Sequence, residues 1–240
     1  MLFRSLTTAS TYAEDLFLEY AQCRPAADMA PKLPKEALAP DLKAAMRLHV
    51  LAYDVNARNA YNPLARGGTL FAHIVAMLDK KIGRVPGDMA TPPMIGPETA
   101  LVILSGHDTQ LGALGGILQA HWKPDDRTGI VPDDMPPGSA LLFELFQAPS
   151  GEYRVGLRFA AMTLARFRAG NLVKGGVETT PVTFTGCESF GCTAPIEQFE
   201  SLAQSLEDRG FVDNAWAAPS ILGVVLSPLV DPPWTKCGGD

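Results

Sequence analysis

The spacing of apolar residues along the chain changes near residue 83. Before that point the spacing is helical, and after it short apolar runs alternate with helical stretches and turns. A stretch rich in proline and glycine, 83–98, separates the two patterns. We therefore predict a helical subdomain over residues 1–83, followed by α/β material over residues 84–240. The helices predicted in the first part are Thr11–Gln22, Asp41–Ala60 and Thr69–Ile82.

The second part of the chain begins with an apolar run that predicts a buried strand over Leu101–Ser105. A helix over Thr109–Gln119 follows it, and a proline-rich loop covers 123–138. The other predicted elements are strands at Ala140–Phe146, Tyr153–Phe159 and Pro181–Thr185 and a helix at Ala194–Arg209. The first two of these strands form a predicted hairpin that turns at Ser150-Gly151.

The candidate chemistry lies between the first strand and its helix. His107, Asp108 and Thr109 place an imidazole, a carboxylate and a hydroxyl at the carboxyl end of a predicted strand and the start of a helix. The free backbone N–H groups and the positive end of the helix dipole favour anions there. Open α/β sheets also bind ligands at such edges. The segment therefore predicts a site that suits a phosphate ester better than an apolar ligand.

Composition and charge limit the classes of partner. The chain has 240 residues, of which 47% are hydrophobic and 19% charged, as in a folded protein. The net charge of −6 argues against nucleic acid and against an anionic membrane surface. No apolar run approaches the roughly 20 residues that span a bilayer, and the first ten residues do not have the features of a signal peptide.

A disulfide between the cysteines would indicate an oxidising compartment, which conflicts with the lack of signal-peptide features in the first ten residues. Cys187 and Cys192 enclose a short loop that a disulfide could close, and buried reduced thiols are the alternative. No second Cys or His pair lies at zinc-site spacing, so we expect neither a metal nor another cofactor. Cys23 and Cys237 could pair with each other, or Cys237 could have lost a partner.

Several segments in order along the chain carry a family resemblance. They are TASTYAEDLFLEYAQ, SGHDTQLGALGG, PPGSALLFELFQ, the extended stretch after it and the pair of Cys187 and Cys192. Together they resemble the histidine acid phosphatases, and most of all the bacterial periplasmic phytases and glucose-1-phosphatases. The implied fold is α/β, a mixed sheet flanked by helices with a helical subdomain. The implied reaction is phosphomonoester hydrolysis through a phosphohistidine, in the periplasm or outside the cell.

The resemblance assigns roles to five residues. His107 contacts the phosphate, Asp108 donates the proton to the leaving oxygen, and Thr109 lies beside the substrate. Glu14 and Arg66 match positions that line the specificity pocket in phytase-like members. A phosphorylated sugar or inositol is the implied ligand.

Each of these residues also has a local structural explanation. Asp108 could cap the helix that follows it, and Thr109 could be an ordinary first-turn hydroxyl. Glu14 could complete a capping box with Thr11, and Arg66 could be a solvated cation. The other three histidines of the chain are expected to be structural; they are His49, His73 and His121.

The nucleophilic half of the family's site is missing from these 240 residues. The family's nucleophile lies in an Arg-His-Gly motif with further arginines for phosphate, and no histidine here has that setting. One hypothesis is an acid phosphatase of phytase type whose Arg-His-Gly segment is supplied from outside this chain. The alternative is an inactive, truncated or diverged module that binds phosphate esters or packs against a partner. The helical insertion, the HDT sequence and the cysteine pair disfavour a third hypothesis, a phosphoglycerate-mutase-like enzyme.

Overall fold

The structure, a computed structural model, describes residues 5–23, 38–84, 95–96, 98–170 and 177–213. Six helices are described within these ranges: α1 Leu6–Ala21, α2 Leu38–Asn56, α3 Asn62–Lys81, α4 Asp108–Leu118, α5 Leu164–Ala169 and α6 Ile196–Asp208. Five strands are described: β1 His121–Trp122, β2 Ala140–Gln147, β3 Tyr153–Met162, β4 Val177–Thr183 and β5 Thr193–Pro195. The predicted α/β class is confirmed. Most of the 83–98 linker and Cys237 lie outside the described residues.

The strands form one sheet in which the described pairs are all antiparallel. Its order is β1-β4-β3-β2, and β5 pairs with residues 154–156 of β3, at the end of that strand that β4 does not reach. The predicted hairpin is present, with Phe143 opposite Leu157 and Leu141 opposite Phe159. Every second residue of β3 from Val155 to Ala161 belongs to the main core, and these side chains share one face because successive side chains of a strand point to opposite faces. That face carries the main core.

Helices α3, α4 and α6 pack on this face of the sheet. The core between them is rich in aromatic rings, and Trp122 stacks on Phe159 with a centroid distance of 4.6 Å. Phe71 of α3 and Phe199 of α6 stack at 6.3 Å. A second, smaller core joins α1 and α2 through Phe17, Leu42 and Met46. This second core fixes α1 and α2 beside the amino end of α4, where the candidate site lies.

Two predicted helix starts are wrong. Helix α1 begins at Leu6 because the hydroxyl of Ser5 accepts the Thr8 N–H at 3.2 Å and caps it. The Thr11–Glu14 capping box therefore does not form, and the Thr11 hydroxyl donates to the carbonyl of Thr7 instead. Helix α3 begins at Asn62, because the proline at 63 lies in the first helical turn. Backbone N–H groups in that turn have no partner within the helix, so the N–H group that proline lacks costs no hydrogen bond there.

The predicted buried strand Leu101–Ser105 is also wrong. Residues 101–107 carry no strand pairing, and Leu101 and Ile103 are 75% and 67% exposed. A strand needs a neighbour for its backbone N–H and C=O groups, and no described strand lies beside this segment. The apolar run is therefore exposed and unpaired in the described part of the chain.

Candidate active site

The site begins at the amino end of α4. His107 is the residue before the helix, with an extended backbone, and the side chain of Gln110 accepts its backbone N–H at 2.8 Å. Asp108 is the first helical residue, and its carboxylate accepts the Thr109 N–H at 2.6 Å. The Thr109 hydroxyl donates to Gln110 at 3.3 Å. His107 and Thr109 are exposed and Asp108 is half-buried, so the imidazole and the carboxylate are open to a ligand.

The glycines of α4 let this helix approach its neighbours closely. A Cβ on Gly116 would lie 2.5 Å from Cγ of Pro63, and one on Gly67 of α3 would lie 2.9 Å from Cβ of Ala113. A Cβ on Gly112 would lie 3.1 Å from the ring of Tyr53. The Gly/Ala/Leu composition of α4 thus fixes the helix against α2 and α3 and positions the His107-Asp108 pair.

Helix α2 brings two side chains to this site, His49 and Tyr53, which are one turn apart. Their rings meet edge to face with centroids 5.1 Å apart. Burial raises the pKa of the Tyr53 hydroxyl, and its hydrogen bond to the Asp108 carboxylate and the charge of that carboxylate raise it further. The Tyr53 hydroxyl therefore lies near the Asp108 carboxylate.

His49 is buried and forms an ion pair with Asp134. Its Nδ1 lies 3.2 Å from Asp134 Oδ1, and its Nε2 lies 4.0 Å from Glu14 Oε2. Burial disfavours the charged ring, but the hydrogen bond to Asp134 and the charges of Asp134, Glu14 and Asp108 outweigh it and raise the pKa of His49. The ring is thus charged over a wider pH range than a free histidine.

The structure brings some of the sequence candidates together. Glu14 lies close to His49, and its charge acts on both His49 and Tyr53, as does the charge of Asp108. Arg66 is exposed on α3, and within the described residues no hydrogen bond or ion pair joins its guanidinium to another side chain. The group formed by Glu14, His49, Tyr53 and Asp108 comes from α1, α2 and α4.

Sequence reasoning missed three residues of this neighbourhood. His49 was expected to be structural, and Tyr53 was not named as a candidate. Asp134 belongs to a pair of aspartates in the loop before β2, and each of the two binds a histidine, since Asp133 lies 2.8 Å from His121. The two aspartates and the four-residue spacing of His49 and Tyr53 were the available signals. Which loop carboxylate meets which histidine depends on tertiary packing.

Three further features concern metal binding, the membrane and the disulfide. Within the described ranges, no three His, Cys, Asp or Glu side chains lie close enough together to hold a metal ion. No described helix is both long and apolar enough to cross a bilayer. Cys187 and Cys192 are disulfide-bonded, with their Cα atoms 5.6 Å apart, as the sequence predicted.

The described part of the chain is thus an α/β fold with a His-Asp pair at the amino terminus of one helix, and its likeness to known proteins lies in that fold. No family model matches the chain. Among curated proteins, phytase AppA of Escherichia coli strain K12 is 30% identical over 93 residues, which are 38% of this chain and 21% of that protein.

Solved phytase structures share the fold over most of this chain. The phytase of Hafnia alvei in complex with myo-inositol hexakis sulphate has a TM-score of 0.66 at 23% identity and is matched over 89% of this chain and 50% of its own. The phytase of Citrobacter braakii has a TM-score of 0.64 at 20% identity, over 86% of this chain and 50% of its own. The chain thus spans about half the length of the solved phytases. The resemblance to histidine acid phosphatases of phytase type is confirmed over these shares.

Proposed function

We propose that this chain carries the proton-donor half of an acid phosphomonoesterase site for a phosphorylated sugar or inositol. In this scheme an imidazole nitrogen from outside the 240 residues attacks phosphorus, and the ester P–O bond breaks. The carboxyl of Asp108 gives its proton to the departing alkoxide oxygen, and His107 contacts the phosphate. Water then hydrolyses the phosphohistidine and returns the nucleophile.

The placement of His107 and Asp108 carries this proposal. The pair lies at the exposed start of α4, where helix N–H groups and the dipole favour an anion. The half-buried carboxyl of Asp108 faces Tyr53, and Glu14 lies in the same group. The Hafnia alvei phytase, which shares the fold, binds an inositol hexakis sulphate. A proton donor is the part that hydrolysis of a phosphate ester needs from this side.

The charges around the site support the proposal that a second polypeptide segment completes it. Glu14, Asp108 and Asp134 bring three carboxylates to the neighbourhood, against the two imidazoles of His49 and His107. In the described part of the chain no lysine or arginine forms an ion pair with Glu14 or Asp108. A phosphate group would be repelled by this arrangement unless further cations approached it. We therefore place the phosphate-binding arginines and the nucleophile on polypeptide outside these residues. The proposed location is the periplasm or the exterior of the cell, because the Cys187–Cys192 disulfide is stable there.

The test compares the chain alone with a reconstituted site. The 240-residue chain by itself should show negligible hydrolysis of p-nitrophenyl phosphate at acid pH. Mixing it with the half of the Hafnia alvei phytase that it does not match should produce hydrolysis. Asp108→Asn should lower that rate by roughly 100-fold or more, the range of general acid catalysis.

A matched control is Asp126→Asn, which changes an exposed aspartate on the short 3-10 turn at Asp126–Thr128. This variant should hydrolyse the ester at the unchanged rate. Hydrolysis by the chain alone that is lost in Asp108→Asn would contradict the absence of a nucleophile. A mixture that binds but does not hydrolyse would instead support the inactive interaction module.

A further inference from the structure

A buried imidazole on α2 lies between two carboxylates that come from different parts of the fold. His49 is 4% exposed. Its Nδ1 lies 3.2 Å from Oδ1 of Asp134, and its Nε2 lies 4.0 Å from Oε2 of Glu14. Each ring nitrogen therefore faces its own carboxylate, which is the arrangement that a protonated ring can serve from both sides.

The Asp134 side of this arrangement is fixed to the main core. Asp134 is 1% exposed, and its Oδ1 also accepts the backbone N–H of Met135 at 2.9 Å. Its backbone carbonyl accepts the indole N–H of Trp122 at 2.9 Å. The bond that one nitrogen of a histidine makes sets the orientation of the other. Asp134 therefore determines the direction in which Nε2 of His49 points.

The Glu14 side is open to solvent. The side chain of Glu14 is 42% exposed, although its neighbours on α1, Ala13 and Phe17, are buried in the second core against α2. A carboxylate can accept about four hydrogen bonds in all. One side of this carboxylate faces the buried ring, and the other positions are available to a ligand.

We propose that His49 and Asp134 are positioning residues that fix the Glu14 carboxylate as a hydrogen-bond acceptor for hydroxyl groups of the leaving alcohol. The ligand class, an ester of a polyhydroxylated alcohol such as a sugar or inositol, rests on the proposed function. The positioning of Glu14 by a buried pair does not. Glu14 alone meets the ligand, and the two buried residues act through it.

The surrounding charges explain why the ring can hold Glu14. The ionisable groups that face His49 are Glu14 on α1, Tyr53 on its own helix, Asp108 on α4 and Asp134 in the loop before β2. Burial disfavours the charged ring, but the hydrogen bond to Asp134 and the three carboxylate charges outweigh burial and raise the pKa of His49. A charged ring attracts the Glu14 carboxylate, whereas a neutral side chain at this position would leave it free to turn into solvent.

The first experiment uses the present chain without a nucleophile or a ligand. The ring signals of His49 are followed by NMR across the pH range. Glu14→Gln removes one of the charges that face the ring, so the pKa of His49 should fall because its protonated form loses a partner. Asp15→Asn is the matched control: it removes the exposed carboxylate next to Glu14 on α1, which does not act on His49, and should leave the titration unchanged.

The second experiment separates positioning from folding by its dependence on the substrate. It uses the mixture with the unmatched half of the Hafnia alvei phytase. Glucose 1-phosphate offers hydroxyl groups to Glu14, whereas p-nitrophenyl phosphate offers none. His49→Gln should raise KM for glucose 1-phosphate about 10-fold with little change in kcat, because a charged hydrogen bond to the ligand is weakened. KM for p-nitrophenyl phosphate should stay unchanged.

Two results would overturn the proposal. One is a His49 titration that does not respond to Glu14→Gln, which would show that the two charges do not meet. The other is a pair of KM values that change together in His49→Gln, or do not change at all. If His49→Gln does not fold, the titration still decides, because Glu14 is half-exposed and its variant removes only a charge. A titration that responds in a chain whose reconstituted site is inactive would support the positioning of Glu14 and refute the phosphatase role.

Discussion

At the scale of single residues, Asp79 shows how burial can hold a proton on a carboxyl near neutral pH. It lies on α3 at the contact with α6, where burial, and then the hydrogen bond and charge of Glu200, raise its pKa to about 7. The positive charge of Arg84 opposes this effect. Its guanidinium also binds Glu197 at 2.6 Å and binds Glu200. The Asp79 carboxyl therefore stays largely protonated below neutrality.

This proton links folding stability to pH. The folded pKa of Asp79 lies above its unfolded value of 3.8, so the folded state binds the proton more tightly. The resulting stability is fully present below pH 3.8 and is lost as the pH rises through about 7. Asp79→Asn, which stays neutral, should therefore raise the unfolding temperature by several degrees at pH 8 and by much less at pH 4.

Thermal unfolding at the two pH values measures the difference. Asp15→Asn, on the exposed side of α1, is the matched control and should change the unfolding temperature little at either pH. An Asp79→Asn chain that is less stable than the unmodified chain at pH 8 would contradict the argument. It would mean that the carboxylate of Asp79 is ionised and usefully paired there.

Contacts between residues that are far apart in the sequence could not be predicted at this scale. The His107-Asp108 pair was predicted at a helix start and lies there, because that signal is local. The contact of His49 with Asp134 joins residues that are 85 positions apart. No period or cap in the sequence specifies such a contact, so His49 could not be distinguished from an ordinary core histidine.

At the scale of elements, helix α4 depends on its glycines for its place in the fold. Gly116 lies against Pro63 at the start of α3, and a Cβ there would come within 2.5 Å of Cγ of the proline ring. A proline ring cannot rotate away as a flexible side chain can. The close contact of α3 and α4 in turn holds the amino end of α4 at the candidate site.

Gly116→Ala should therefore destabilise the fold although alanine favours a helix. Overpacking costs about 1–3 kcal/mol, whereas the gain in helix propensity is about 1 kcal/mol. We expect the unfolding temperature to fall by a few degrees. Gly115→Ala is the matched control, because its Cβ would meet only the end of the Arg58 side chain, at 3.2 Å from Nη2, and that side chain can shift. A Gly116→Ala chain of equal or higher stability would show that α3 and α4 can separate without loss.

Element predictions succeeded where the deciding signal was local or periodic. The hairpin of β2 and β3 follows from two alternating runs around a turn, and α6 follows from its helical spacing. The start of α1 was missed because Ser5 caps it ahead of its apolar face. The run at 101–105 has the composition of a strand, but a strand also requires a partner, and composition does not show whether one is present.

At the scale of the whole molecule, the described fold exposes an apolar segment next to the candidate site. The segment 101–105 leads directly into His107, and its backbone has no strand partner among the described residues. Leu101 is 75% exposed, Ile103 is 67% exposed and Leu104 is 44% exposed. The chain spans about half the length of the solved phytases. An unpaired apolar edge of this kind invites pairing with another chain.

The chain alone should therefore self-associate at micromolar concentration through residues 101–105. Ile103→Lys places a charge on the exposed edge and should reduce the associated fraction in sedimentation velocity and light scattering. Val177→Lys is the matched control, since Val177 is 63% exposed but belongs to a paired strand, and it should leave the association unchanged. A chain that remains monomeric and unfolds cooperatively at high temperature would contradict this. It would mean that the exposed run at 101–105 is covered without a second chain.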